Sequence, residues 1–189
     1  MIKIIFIRHA ETEWNSKKLL QGRKDIPLSI EGKKNAKNWK LDVENFTLWS
    51  SPLRRATETA QIIFSRKPIL DDLLIEMDWG YWEGKSLSEL RNALGNEMKN
   101  IENKGLDMNP TNGESPRKVQ KRLLEWFEKL DDGTHIAITH KGVIRSSIAL
   151  ATGWNMKDKE PERVNWGKGY IFYLNSNSQI KYDKTISLE

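Results

Sequence analysis

The stretch KIIFIRHAETEWN, Lys3 to Asn15, decides the fold. From Ile4 to Ile7 it is apolar and mostly β-branched, without alternation, the pattern of a strand covered on both faces. Such strands belong to parallel sheets flanked by helices, and in those sheets ligands sit beyond the carboxyl ends of the strands. The run ends on Arg8-His9. An Arg beside a His is awkward for stability at a strand exit, and useful where something anionic must be held and attacked.

The rest of the chain alternates strand and helix. Ser29 caps a helix predicted over Ile30 to Leu41. Phe46 to Ser50 reads as a short strand, and Pro52 opens a helix through Phe64, with Ala56, Ala60 and Ile63 on one face and Pro68 beyond its end. Ile69 to Ile75 is extended and broken at Asp71-Asp72, a pair better read as a turn than as a metal site. Leu87 to Asn103 reads as a helix despite Gly95, and Lys104 to Glu114 as loop. Ser115-Pro116 starts a helix whose buried stripe is Val119, Leu123, Phe127 and Leu130. Asp132-Gly133 turns the chain into the apolar strand His135 to Thr139. A helix from Gly142 to Thr152 follows, closed by Gly153. Tyr170 to Leu174 and Gln179 to Thr185 form a terminal hairpin around Asn175 to Ser178. No repeat or linker interrupts this order. It predicts an α/β fold, a three-layer α/β/α sandwich on a mostly parallel sheet, with residues 1–189 as a single domain.

The bulk numbers set limits. A chain of 189 residues suits one domain with a sizeable core, and eight Trp argue against disorder. No apolar run approaches a membrane span, so no membrane partner is expected. Ile2 to Ile7 is too short for a signal peptide, no small-residue cleavage site follows it, and Cys is absent. Disulfides and thiol chemistry are thereby excluded, and a cytoplasmic address is expected. The net charge of +5 favours anionic ligands, although scattered solvated Lys are the better account of the excess. With no long basic block, no nucleic-acid partner is expected.

Polar residues cluster at three strand ends: RHAET after the first strand, SSPLRRATETA after the second, and THKGVIR after His135 to Thr139. If those strands are neighbours, Arg8, His9, Arg54 or Arg55, and His140 converge. Guanidiniums, imidazoles and free helix-start amides form an anion site best matched to a phosphoryl group. One His can then attack phosphorus in line and form a phosphohistidine. The surrounding positive charge disfavours its protonation and keeps its lone pair available. His135 lies inside an apolar strand and reads as structural. His135 and His140 without Cys make a poor zinc site. Glu76 and Glu83 both lie near Trp residues, and the residues alone do not choose between them. Trp79 and Trp82 either line the pocket or pack in the core.

These blocks, in this order, resemble the histidine phosphatase superfamily in its phosphoglycerate mutase-like branch, and the resemblance covers nearly the whole chain. RHAETEWN is similar to the family's Arg-His-Gly-Glu signature, with Ala10 where Gly is usual. QGRKDIPLSIEG, Gln21 to Gly32, resembles the segment that follows it. SSPLRRATETA resembles the block whose catalytic Arg directly precedes Ala, which selects Arg55. IEMDWGYWEG, Ile75 to Gly84, resembles the block bearing the acid, which selects Glu76. NGES, Asn112 to Ser115, resembles a substrate-side loop, and THKGVIR the second-His block, with Lys141 where Gly is commoner.

The resemblance implies that His9 is the nucleophile and that Arg8, Arg55 and His140 clamp the phosphoryl oxygens, with Asn15 assisting. Glu76 then protonates the leaving oxygen and later activates the water that cleaves the phosphohistidine. Gln21, Gly22 and Lys141 are further substrate-binding candidates. No metal and no cofactor is called for, because fixed cations offset the charge. If the usual Gly serves for positive φ, Ala10 is strained; if not, it is harmless.

Mutases and phosphatases share this fold and core, so neither decides the reaction. Family mutases are expected to be longer, with an insertion carrying an adjacent Arg pair for a second anionic group. Between WEG and NGES this chain has only Arg91 besides Lys85, Lys99 and Lys104. Hydrolysis of small phosphate monoesters is therefore expected. The alternatives are a cofactor-dependent phosphoglycerate mutase and a non-catalytic phospho-ligand-binding protein. Retention of Arg8, His9, Arg55, Glu76 and His140 argues against the second. Both a monomer and a homodimer stay open.

Overall fold

The computed structural model describes residues 1–175 and 179–189. It contains a mixed six-stranded sheet: β1 (Ile2–Arg8), β2 (Phe46–Ser50), β3 (Ile69–Leu70), β4 (Gly133–Thr139), β5 (Lys168–Leu174) and β6 (Ile180–Ser187), in the order β3-β2-β4-β1-β5-β6. The β3–β2, β2–β4 and β4–β1 pairs are parallel; β5 is antiparallel to β1 and to β6. Seven α-helices accompany it among the described residues: α1 (Glu13–Ser16), α2 (Ile30–Ala36), α3 (Arg54–Phe64), α4 (Leu87–Leu94), α5 (Asn96–Glu102), α6 (Pro116–Phe127) and α7 (Lys141–Thr152).

Strand period two splits the core into two layers. Ile4, Phe6 and Ala137 pack with Val119, Leu123 and Trp126 of α6 and Val143, Ile144 and Ile148 of α7. Ile5, Ile7, Ile136 and Ile138 face the other way, onto Ala36 of α2 and Ala56 and Ala60 of α3. Ile4 to Ile7 are fully buried, as a strand covered on both faces requires. Each such side chain contributes about 1.5–3 kcal/mol on burial. The expected three-layer α/β/α sandwich is thus present. Among the described residues, no helix is long and apolar enough to cross a membrane.

Several element bounds differ from expectation. The Leu87 to Asn103 helix is two helices, broken at Gly95, whose φ of 51° lies outside the range of an L-residue helix. The helix after Pro52 begins at Arg54, with Leu53 extended at its N-cap. The helix capped by Ser29 stops at Ala36 instead of Leu41. Only Ile69–Leu70 of the third extended stretch pairs in the sheet; Asp71 then caps a 3-10 turn at Asp72–Leu74 and binds Lys129, the turn role expected of it. The four-residue α1 carries no apolar period by which to predict it. Of the expected hairpin turn, residues 176–178 lie outside the described residues, while β5 and β6 pair as expected.

Parallel register brings the three polar clusters together. Arg8 stands opposite Thr139, and the His9 amide continues the ladder to the Thr139 carbonyl at 2.9 Å. On the other side of β4, Ser50 stands opposite Ile138, and the Ser51 amide reaches the Ile138 carbonyl at 3.0 Å. His9, His140 and Ser51 therefore leave three adjacent strands at one level.

Candidate active site

The His9 and His140 rings lie with centroids 5.1 Å apart, both almost wholly buried. His9 Nδ1 is 2.7 Å from its neighbour's carbonyl, Ala10 O. A carbonyl only accepts, so Nδ1 carries the proton and Nε2 keeps its lone pair. Burial first, then the Arg55 and Arg8 charges, hold the His9 pKa well below the ordinary imidazole range. Ala10 replaces the usual Gly without strain: it is absent from the positive-φ residues, and its amide donates to Thr59 Oγ1 at 3.0 Å.

Arg55 and Arg54 are separated by helix phase. Arg55 is fully buried, while Arg54 points outward to Glu58 at 3.3 Å. The Arg55 guanidinium donates through Nη2 to Gly22 O at 2.7 Å and through Nη1 to Lys24 O at 2.8 Å. Those carbonyls are fixed in turn by Glu83, whose Oε1 accepts from the Gly22 amide at 2.9 Å and the Lys24 amide at 2.8 Å. The Arg8 guanidinium stacks 4.3 Å above the Trp166 ring. Burial lowers the pKa of each of these Arg to about 10, so both remain cationic at neutral pH.

Glu76 is buried on the loop after the 3-10 turn, and it lines the same cavity as Arg8 and His9. Its Oε1 accepts from the Met77 amide at 2.7 Å, and its Oε2 from the Gly142 amide at 3.3 Å. Burial raises its pKa and outweighs those bonds and the Arg55 charge. Glu83 instead supports the Gly22–Lys24 loop and does not line the cavity. The pair that the residues alone left open is thereby separated in space.

His140 is the N-cap of α7, and its Nε2 lies 2.7 Å from Ser51 Oγ. Ser51 Oγ, which also accepts from the Leu53 amide at 3.3 Å, occupies Nε2; in the tautomer where the Ser51 hydroxyl donates to Nε2, His140 Nδ1–H is a donor. That Nδ1, Arg8 Nε and Arg55 Nε are buried without a hydrogen-bond partner among the described residues. Orphaned donors of this kind cost about 1–3 kcal/mol each, and their sum in one place suits an anion.

Of the other expected residues, Asn15, Gln21 and Lys141 line the cavity. Asn15 closes the capping box of α1 with Thr12, and Gln21 Nε2 donates to Thr12 Oγ1 at 2.7 Å. Gly22 acts through its carbonyl on Arg55. None of Asn112 to Ser115 lines the cavity; Pro116 does. Glu114 instead binds Arg122 and Arg23 and accepts from the Asp78 amide, bracing the segment that carries Glu76. Trp79 and Trp82 fill both roles proposed for them, since they line the cavity and pack with Leu90 and Met98. The sequence reading gave Ser51 no role; its signal was a hydroxyl at the β2 exit, level with His140. Among the described residues no cluster of three or more His, Cys, Asp or Glu could hold a metal ion.

Known proteins resemble this chain over nearly its whole length. The family model described as histidine phosphatase superfamily (branch 1) matches residues 4–174. A 2,3-bisphosphoglycerate-dependent phosphoglycerate mutase of Bartonella quintana is 30% identical over 200 residues, covering 97% of each chain. Phosphoserine phosphatase 1 of Hydrogenobacter thermophilus is 31% identical over 163 residues, 81% of this chain and 77% of that one. Bacillus stearothermophilus YhfR superposes with a TM-score of 0.81 at 25% identity, over 97% of this chain and 95% of that one. The match to the mutase spans 200 positions, more than the 189 residues of this chain, so that relative carries residues this chain lacks, in line with the expectation that mutases are longer.

Proposed function

The chain belongs to the histidine phosphatase superfamily, and on that premise we propose that residues 1–189 work as one domain, a metal-independent phosphomonoesterase for small phosphorylated metabolites. The observation that carries this reading is that one cavity is lined by His9, its Nδ1 held on the Ala10 carbonyl and its Nε2 lone pair free, and by the buried Glu76 carboxyl. Burial and two guanidiniums hold the imidazole pKa down, while burial pushes the carboxyl pKa up.

His9 Nε2 attacks phosphorus in line, and the bond from phosphorus to the ester oxygen breaks. The Glu76 proton passes to that oxygen as the alcohol leaves. Arg8, Arg55 and His140 Nδ1–H hold the equatorial oxygens through the transition state. Glu76, now a carboxylate, takes a proton from water as that water attacks the phosphohistidine. Phosphate departs, and His9 and Glu76 return to their starting states.

The test is rapid mixing with substrate, followed by mass spectrometry under alkaline handling to locate acid-labile phosphate. It is expected on His9, and a label on any other residue overturns the assignment. Turnover should survive exhaustive chelation; a strict need for added Mg²⁺ or Zn²⁺ overturns the metal-independent part.

The match to the Bartonella mutase over 97% of each chain favours a second reading, phosphoglycerate mutase activity. It is separated by incubation with 3-phosphoglycerate and catalytic 2,3-bisphosphoglycerate. Inorganic phosphate marks the phosphatase, and 2-phosphoglycerate without phosphate release marks the mutase.

A further inference from the structure

The cavity over His9 has a volume of about 450 Å³, far more than a phosphoryl group fills. Its two ends differ in chemistry. At the phosphoryl end stand Arg8, His9, Glu76 and Lys141; Lys141 is half-buried and makes no ion pair among the described residues. The remainder is walled chiefly by Leu19, Leu20, Trp79, Met98, Met108 and Met156. Thioether side chains among the lining adapt to irregular apolar shapes.

The cations beyond the phosphoryl end each face a carboxylate. Arg91 donates through Nε at 3.1 Å and Nη2 at 2.7 Å to Glu102 Oε1, tying α4 to α5 at the cavity rim. Arg145 pairs with Glu160 at 3.5 Å and lies over the Trp154 ring. A carboxylate or second phosphate on the leaving group would thus lie against an apolar wall and compete with Glu102 and Glu160 for the two guanidiniums, and beyond the phosphoryl end that carries Lys141 it would lose hydration.

We propose that the alcohol released by this site is bulky, uncharged and apolar, of aromatic or branched-alkyl type, and that the apolar chamber is its subsite. This inference rests on the phosphomonoesterase reading and narrows its substrate class. Burial of a phenyl-sized group in such a chamber raises kcat/KM roughly tenfold or more over a small alkyl group.

The experiment compares kcat/KM for 2-phenylethyl phosphate, ethyl phosphate, phosphoserine and 3-phosphoglycerate. In parallel, calorimetry gives Kd for 3-phenylpropylphosphonate and 3-phosphonopropionate, which bind without phosphoryl transfer. The aromatic member should lead each series by about tenfold or more. Met108→Lys, or Leu19→Lys where the first folds poorly, sets a cation in the half-buried wall. Either should reduce that lead and improve 3-phosphonopropionate binding about three- to fivefold. Glu102→Gln should also favour the carboxylate compounds, by releasing Arg91. A lead by phosphoserine or 3-phosphoglycerate, or equal affinity for the two phosphonates, overturns the chamber assignment. Expected phosphonate affinities with no phosphate released from any ester uphold the chamber and overturn the phosphomonoesterase reading.

Discussion

Gly142 and Glu76 occupy one small volume: a Cβ on Gly142 would overlap Glu76 Oε1, and the Gly142 amide donates to Glu76 Oε2 at 3.3 Å. The glycine is needed for close approach; its φ is not in the left-handed region. The first turn of α7 therefore sets where the carboxyl stands, and the following residues fix how well its proton meets a leaving oxygen.

Gly142→Ala should displace that carboxyl while leaving His9 and its clamp in place. We expect kcat/KM for an alkyl phosphate to fall about tenfold or more, with a much smaller loss for p-nitrophenyl phosphate, whose leaving group needs no proton. Equal losses for both esters would place the damage at the phosphoryl end.

Glu76→Gln and substitutions of Glu83 should separate the acid from its neighbour. The amide cannot donate a carboxyl proton, so Glu76→Gln should lower kcat/KM about a hundredfold for the alkyl ester and only weakly for the nitrophenyl ester. Burial raises the Glu76 pKa, so the donor form persists above the usual carboxylate range and is lost as pH rises. Glu76→Gln should erase this alkaline limb. Glu83→Gln keeps an acceptor for the Gly22 and Lys24 amides and should stay close to wild type, whereas Glu83→Ala frees the loop that seats Arg55 and should slow both esters alike. Selective loss of the alkyl ester in Glu83→Gln would reverse the assignment.

Much of this was legible from strand ends. His9 and His140 each follow an apolar strand by one residue, and parallel neighbours bring such positions side by side. Arg55 against Arg54 was not, because both begin one helix and only the three-dimensional phase of α3 buries one of them. The family block order supplied that choice, and the choice of Glu76 over Glu83. The short α1 was hidden for another reason: it is held by the Thr12–Asn15 capping box and not by an apolar stripe. NGES, Asn112 to Ser115, resembles a substrate-side loop, but the partners of its Glu114, Arg23 and Arg122, are tertiary, and no local pattern announces them.

Arg55→Lys should cost about a hundredfold or more in kcat/KM with the fold retained. The guanidinium spans two carbonyls, Gly22 O and Lys24 O, and presents its remaining N–H groups in a fixed plane. One ammonium on a flexible stem cannot span both carbonyls and still meet two phosphoryl oxygens. Calorimetry with a phosphonate checks that binding weakens in step; unchanged affinity and rate would remove Arg55 from the clamp.

The buried imidazoles should also be visible in stability. Burial and nearby cations hold His9 and His140 far below the ordinary value of 6.5 in the folded chain, while in the unfolded chain both titrate near it. Below that pH the unfolded state binds more protons, so stability falls as pH drops from 6.5 toward the depressed values. Each His adds a slope of up to about 1.4 kcal/mol per pH unit. Glu76 acts the other way: its folded pKa is raised above the ordinary 4.5, so in that interval the folded state binds the extra proton and acidification favours it. Urea midpoints measured between pH 7 and 5 should therefore show a shallower acid loss in His9→Asn and in His140→Asn, and a steeper one in Glu76→Gln. A slope unchanged by both His substitutions would mean that neither imidazole is held neutral, and the lone pair on which the chemistry depends would have no physical basis.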